Sequence, residues 1–201
     1  MRLPAIPRAL LLALVGSAAC RLSAALPAWW SNFPKIPVLS SHFRQESDSL
    51  VFGKLARKGT LLLARGGRLQ VVYEGGLAVT CDGQQLVQFD PDTRTAQRMS
   101  LAQAQREFPL LNLLTDPAKI RVLYQVVEGG SETLKLVPRQ AGLPELKVTG
   151  RKGLLHSLEW TDPTGAKQTL ELLDPKTPSS VPPSAFKAQL PAGTRWATPS
   201  D

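Results

Sequence analysis

The chain has 201 residues, 43% hydrophobic and 20% charged, a composition that fits one ordinary domain with its own core and excludes a disordered segment. Its two Cys and two His (Cys20, Cys81, His42, His156) are too scattered for a structural zinc site. No P-loop, GxGxxG, HExxH or GxSxG motif occurs, so the common nucleotide and hydrolase chemistries lack their fingerprints. With 24 Lys+Arg against 16 Asp+Glu the formal charge is +8, and the position of those charges decides what they mean.

Residues 1–8 hold Arg2 and Arg8 and no acid, and an apolar run from Ala9 to Ala19 follows, broken only by Gly16 and Ser17. The run is shorter than the ~20 apolar residues a spanning helix needs, and it reads as a secretory signal peptide over residues 1–25. Pro4 and Pro7 argue against a buried N-terminal helix. Ser23-Ala24-Ala25 offers small residues for cleavage before Leu26. Alternatively, Ser17-Ala18-Ala19-Cys20 is similar to a lipobox, in which Cys20 would be acylated, although Ser17 stands where an aliphatic residue is usual. Cleavage before Leu26 leaves one domain, 26–201, with 21 Lys+Arg against 16 Asp+Glu, about +5. Cys81 is then the only cysteine and is expected to be a small core residue.

In the mature chain, Ile36, Leu39 and Phe43 recur at helical spacing and predict a helix over 36–46. Short β-type segments follow at Leu61–Leu63, Leu69–Tyr73, Leu77–Cys81 and Leu86–Phe89. Gly66-Gly67, Gly75-Gly76 and the strong hairpin signal Asp82-Gly83 separate them, and Asp90-Pro91-Asp92 precedes a strand at Thr95–Met99. Ser100 caps a helical stretch, and Pro109 leads into the apolar helix Leu110–Leu114. Strands resume at Ile120–Val127, Thr133–Val137, Glu145–Thr149, Leu154–Thr161 and Gln168–Leu173. A proline-rich connection, Pro175–Pro183, leads to a last edge segment within Phe186–Trp196. Short strands on tight turns imply antiparallel pairing throughout. The expected fold is mainly β: one large curved antiparallel sheet, an open half-barrel, with a few short helices covering its concave face as a lid.

Ala64-Arg65-Gly66-Gly67-Arg68-Leu69-Gln70-Val71-Val72-Tyr73, followed by Asp82-Gly83-Gln84-Gln85-Leu86 and Phe89-Asp90-Pro91, resembles the periplasmic outer-membrane lipoprotein carrier (LolA-like) family. Phe43-Arg44-Gln45 matches that family's Phe-x-Gln at the end of its first helix, and Pro109-Leu110-Leu111 with Leu113-Leu114 its apolar lid helix. Leu136-Val137-Pro138 and Phe186 with Pro191-Ala192-Gly193 also fall in family positions, so the resemblance spans roughly residues 40–196. Gly66 replaces the family's proline, and Leu69 and Val71 replace aromatics. The resemblance implies a soluble monomeric periplasmic carrier that ferries acylated lipoproteins from an inner-membrane ABC transporter to an outer-membrane acceptor. It implies no catalysis, cofactor or metal. It also implies that Arg65 hydrogen-bonds backbone carbonyls of the lid and holds the empty cavity shut.

A carrier of this kind must shield acyl chains from water, at about 0.8 kcal/mol per buried CH₂. The expected cavity wall is Leu61, Leu63, Leu69, Val71, Tyr73, Leu86 and Phe89 on the sheet, with Leu110, Leu111 and Leu114 from the lid. Three other readings stay open. They are a lipid-anchored acceptor of the same fold if Cys20 is acylated, a lipid-sensing binding module, and an enzyme using paired acids such as Asp90 and Asp92. Asp90 and Asp92 flank Pro91 and suit turn chemistry instead. The basic residues are dispersed, and export removes nucleic acid as a partner.

Overall fold

The computed structural model describes residues 26–197 except Pro109. The expected leader, with Cys20 and its alternative processing site, lies outside the described residues.

The described residues form one twelve-stranded sheet with short helices. Its first meander is β1 (Val38–Ser49), β2 (Gly53–Ala64), β3 (Arg68–Tyr73), β4 (Ala78–Asp82), β5 (Gln85–Asp90) and β6 (Thr95–Ser100). The second is β7 (Tyr124–Gly129), β8 (Thr133–Pro138), β9 (Leu146–Arg151), β10 (Leu154–Thr161) and β11 (Lys167–Leu172), and the short β12 (Arg195–Trp196) follows. The spatial order is β12-β6-β5-β4-β3-β2-β1-β11-β10-β9-β8-β7. The two meanders are therefore joined in the middle, where β11 lies antiparallel to β1 from Phe43↔Leu172 to Asp48↔Lys167. β12 and β7 are the free edges, and the sheet does not close.

Turn chemistry sets the hairpins. Asp82 Oδ1 accepts from the backbone N–H groups of Gln84 and Gln85 at 2.8 and 2.9 Å. Gly83, at φ +102°, lets the carbonyl oxygen of Gly66 approach to 2.4 Å from where a Cβ would stand. Asp162 Oδ1 likewise accepts from the backbone of Thr164 and Ala166 at the β10–β11 turn.

Three expectations are corrected. Residues 36–46 are not helical: β1 runs through them from Val38, and the first helix among the described residues, α1 (Ala28–Asn32), lies upstream with a 3₁₀ turn at Phe33–Lys35. Leu39 and Phe43 are four apart, a spacing that fits a strand face as well as a helix, and the small buried Ser41 between them hid the alternation. The segment expected as one strand from Ile120 is helical at its start. Pro117 opens a 3₁₀ turn that continues into α4 (Ile120–Leu123), and β7 begins only at Tyr124. Pairing is not antiparallel throughout, because the long connection after β11 returns β12 parallel to β6.

Helices cover one face of the sheet. On the second meander, Trp29, Trp30 and Phe33 are buried, and Trp29 rests on Gly150, where an added Cβ would lie 2.1 Å from the indole. On the first meander, α2 (Leu101–Glu107) packs on β5 and β6, and α3 (Leu110–Thr115) on β2. The Ser100 hydroxyl caps α2 by accepting from the Gln103 N–H at 3.1 Å. On the opposite face the C-terminal segment crosses β3 and β4. Phe186 is buried there under the Arg68 guanidinium, 5.3 Å from its ring centroid.

Candidate functional site

Strand pairing brings the apolar residues of the first meander into two rungs. Leu86, Cys81, Leu69, Leu63 and Leu39 oppose one another in sequence across five strands. The next rung on the same face is Gln88, Val79, Val71, Leu61 and Ser41. The lower rung is buried floor. In the upper one Leu61 and Ser41 are also buried while Gln88, Val79 and Val71 are partly covered, and Gln88, Val79, Val71 and Leu61 face a cavity of about 420 Å³ together with Leu69 and Leu86 of the lower.

Eight of the expected wall residues line this cavity: Leu61, Leu69, Val71, Tyr73 and Leu86 from the sheet, and Leu110, Leu111 and Leu114 from α3. Phe89 does not. Leu86 and Gln88 point inward on β5, so alternation sends Phe89 to the other face. Leu63 is buried on the inward face but belongs to a neighbouring cleft. The expected wall also lacked a whole side. Phe43 and Gln45 of β1, Leu158 and Trp160 of β10, and Leu170 of β11 complete it, with Leu77, Val79 and Phe108. β5 and β10 are six strands apart, roughly 29 Å along a flat sheet, yet both line one space of about 420 Å³, so the sheet curves strongly around it.

The wall carries few polar atoms. Gln45 and Gln88 are the amides, and Tyr73 Oη donates to Gln45 Oε1 at 2.8 Å. Burial raises the Tyr73 pKa, with nearby Arg57 partly offsetting it, so the phenol stays a neutral donor. Cys81 is fully buried behind the wall. Burial raises its pKa too, and a thiolate nucleophile is disfavoured there. Among the described residues no group of three or more His, Cys, Asp or Glu could hold a metal, and no helix is long and apolar enough to cross a membrane.

The cover over the cavity is braced within itself. Gln105 Nε2 donates to Thr115 Oγ1 at 2.9 Å, Asn112 Nδ2 to the Gln105 carbonyl at 3.1 Å, and Thr115 Oγ1 to the Leu111 carbonyl at 2.6 Å. Its start is pinned where Leu101 N–H donates to the Gln84 carbonyl at 2.7 Å and the Leu101 side chain occupies the space a Cβ on Gly67 would take. Its far end is pinned by the buried Leu113.

Arg65 lies in the β2–β3 turn, exposed. Its backbone N–H donates to the Pro37 carbonyl and its carbonyl accepts from Arg68 Nε. Its guanidinium makes no hydrogen bond among the described residues. It lines a cleft of about 400 Å³ with Phe33, Ile36, Leu63, Leu114, Thr115 and Asp116, at the carboxyl end of α3.

The family model described as outer membrane lipoprotein carrier protein LolA matches residues 35–189. No curated protein matches. Among solved structures, a conserved protein of Thermus thermophilus aligns with a TM-score of 0.50 at 12% identity, covering 82% of this chain and 91% of that one. A LolA superfamily protein of Nitrosomonas europaea aligns with a TM-score of 0.48 at 14% identity, covering 82% and 99%. An outer membrane lipoprotein-sorting protein domain of Vibrio parahaemolyticus aligns with a TM-score of 0.48 at 12% identity, covering 79% and 92%. At 12% identity the likeness to the Thermus thermophilus protein is one of fold.

Proposed function

The chain belongs to the family of outer membrane lipoprotein carrier protein LolA, and from that premise we propose that it is a periplasmic carrier holding the acyl chains of lipoproteins in the cavity between β1–β5, β10–β11 and α3. The observation that carries the reading is the cavity itself. Its volume of about 420 Å³ lies in the roughly 300–1,000 Å³ range of ligand pockets, and its wall is almost wholly Leu, Val, Phe, Tyr and Trp. Such a wall offers burial and little else. Roughly a dozen methylenes moved from water into it gain about 10 kcal/mol, which keeps a lipid soluble without any catalytic group.

Release has to be as easy as loading, and the construction of the cover supports that. Its hydrogen bonds are largely internal, so α2 and α3 can shift as a unit by giving up apolar contacts rather than leaving buried polar groups bare. On this reading the chain takes cargo from an inner-membrane lipoprotein-releasing transporter and passes it to an outer-membrane acceptor, acting as a monomer with neither cofactor nor catalysis. Residues 1–25 address it to the periplasm.

Native mass spectrometry of the protein with a triacylated lipoprotein, followed by a transfer assay from inner-membrane vesicles, tests the proposal. One-to-one capture and onward release are expected. Absence of lipid-dependent capture would overturn it. The mass of the mature N-terminus in the same experiment distinguishes cleavage before Leu26 from acylation of Cys20.

A further inference from the structure

Outside the cavity the most unusual surface is the tip of the β1–β2 hairpin. Leu50, Val51 and Phe52 form its three-residue loop, and they are 105%, 81% and 79% exposed, so the chain's own core covers none of them. Leu55, just beyond the loop, is 55% exposed. Exposed apolar residues are ordinary singly, but a contiguous group at the end of an ordered ribbon marks a contact surface. The loop is shaped, not loose. The backbone N–H groups of Val51 and Phe52 are oriented toward Ser49 Oγ at 3.2 and 3.4 Å, and Gly53 takes φ +69° to close the turn.

The tip of the hairpin projects beyond its neighbours in the sheet. β2 loses its β3 partner beyond Gly59↔Tyr73, β11 accompanies β1 as far as Asp48↔Lys167, and β1 and β2 remain paired out to Ser49↔Gly53, so residues 49–53 extend past both flanking strands. From Gln45, at the cavity wall, six residues of strand and loop carry Val51 outward by about 20 Å. Leu55 and Arg57 share the strand face of Leu61, so the inward face of the ribbon continues the cavity wall toward the tip.

The charge beside the tip identifies the partner. Residues 44–58 hold four cations, Arg44, Lys54, Arg57 and Lys58, and two carboxylates, Glu46 and Asp48. Glu46 is paired with Arg44, and Asp48 with Lys54 at 3.8 Å. Arg57 and Lys58 make no ion pair among the described residues, and both are exposed. An apolar tip with free cations set back from it matches the layering of an anionic bilayer, which has hydrocarbon inside and phosphate at the surface.

We propose that Leu50, Val51 and Phe52 insert into the surface of an anionic phospholipid bilayer while Arg57 and Lys58 lie against its headgroups, docking the protein with its cavity turned to the membrane. This goes beyond the carrier reading, because the docking stands whatever the cavity holds.

Vesicle co-sedimentation tests it, with Cys20→Ser in every protein so that no acyl anchor contributes. The protein is expected to bind phosphatidylethanolamine/phosphatidylglycerol vesicles, and phosphatidylcholine vesicles more weakly. Leu50→Ser/Val51→Ser/Phe52→Ser should lower partitioning at least tenfold with an unchanged circular dichroism spectrum. Arg57→Gln/Lys58→Gln should weaken binding to the anionic vesicles and flatten its salt dependence. A polarity-sensitive dye on Val51→Cys should shift to the blue with vesicles and be quenched by brominated lipid. Equal vesicle binding by the wild type and the triple-serine protein would overturn the proposal, as would no binding by either. A dimer lost in the triple-serine protein while vesicle binding is unchanged would overturn it in favour of self-association.

Discussion

The rings of Phe43 and Tyr73 meet edge to face, their centroids 5.2 Å apart and their planes at 88°. They can do so because Gly59 separates them in the sheet, opposing Phe43 on one side and Tyr73 on the other. A Cβ on Gly59 would lie 2.8 Å from the Phe43 ring and 2.2 Å from the Val72 carbonyl oxygen. The ring can tilt away, but the carbonyl belongs to a paired strand. Gly59→Ala is therefore expected to destabilise the protein by about 2–3 kcal/mol in urea unfolding. The loss should persist in a Phe43→Ala background, since the backbone clash remains. A wild-type midpoint would show that the strands part more easily than their pairing implies.

Tyr124 has the opposite character. Its hydroxyl is buried and has no hydrogen-bond partner among the described residues, and burial pushes its pKa up to about 12. Tyr124→Phe removes an unsatisfied polar atom and should stabilise the fold by about 1 kcal/mol. The pH dependence has a definite sign. The unfolded chain releases this proton near its usual value of about 10, while the folded chain holds it. The stabilisation from the neutral phenol is complete below about pH 10 and is lost between there and about pH 12. Denaturant midpoints should fall over that window, and less steeply in Tyr124→Phe. An unchanged slope in the variant would mean that the decline arises elsewhere.

Local chemistry was legible in the sequence, and lateral neighbours were not. Asp82-Gly83 marks its turn because a carboxylate can receive two backbone N–H groups there, and Ser100 marks the start of α2 by the same kind of bond. The extent of β10, Leu154–Thr161, follows from its own residues. That β11 lies beside β1 depends on residues more than a hundred positions apart, so Leu158, Trp160 and Leu170 could not be placed in the wall by reading along the chain. Phe89 is a different case. Three residues from Leu86 on one strand, it cannot share that face, and strict alternation would have replaced it with Gln88.

Gly150 and Trp29 form a second close approach, on the other half of the sheet. A Cβ at Gly150 would enter the indole at 2.1 Å, so Gly150→Ala should expel Trp29 from the core at a cost of about 3 kcal/mol. Tryptophan emission should shift to the red. In a double-mutant cycle with Trp29→Ala the two losses should be clearly less than additive, because both remove the same packing. Full additivity would mean that Gly150 matters for another reason.

Arg65 lines its cleft beside Leu114, Thr115 and Asp116, at the end of α3 where helix carbonyls lack intrahelical partners. A guanidinium there can bond such carbonyls when the cover settles, although it makes no such bond in this arrangement. If it favours the closed, empty state, Arg65→Leu should bind acylated cargo at least as well as the wild type but release it more slowly to an acceptor. Stability should change by less than about 0.5 kcal/mol, since the side chain is exposed. Normal onward transfer would remove Arg65 from the release step.

Two leucines on the same short helix separate a binding wall from a core. Leu113 is 2% exposed and anchors α3 to the sheet, whereas Leu114 is only partly buried and faces the cavity. Leu113→Ala should lower stability by about 2–5 kcal/mol, as large-to-small changes in packed cores do. Leu114→Ser removes apolar surface from a space already open, so its effect on stability should stay below about 1 kcal/mol. Its effect should appear instead in affinity for an acyl ligand, where losing about 1.4 kcal/mol of apolar contact is a tenfold weaker binding constant. Titration of both proteins with a fluorescent fatty acid checks this. Were Leu113→Ala, at temperatures where it remains folded, to lose affinity while Leu114→Ser kept it, the ligand would have to sit on the other side of the helix, and the cavity would be packing space rather than a binding site.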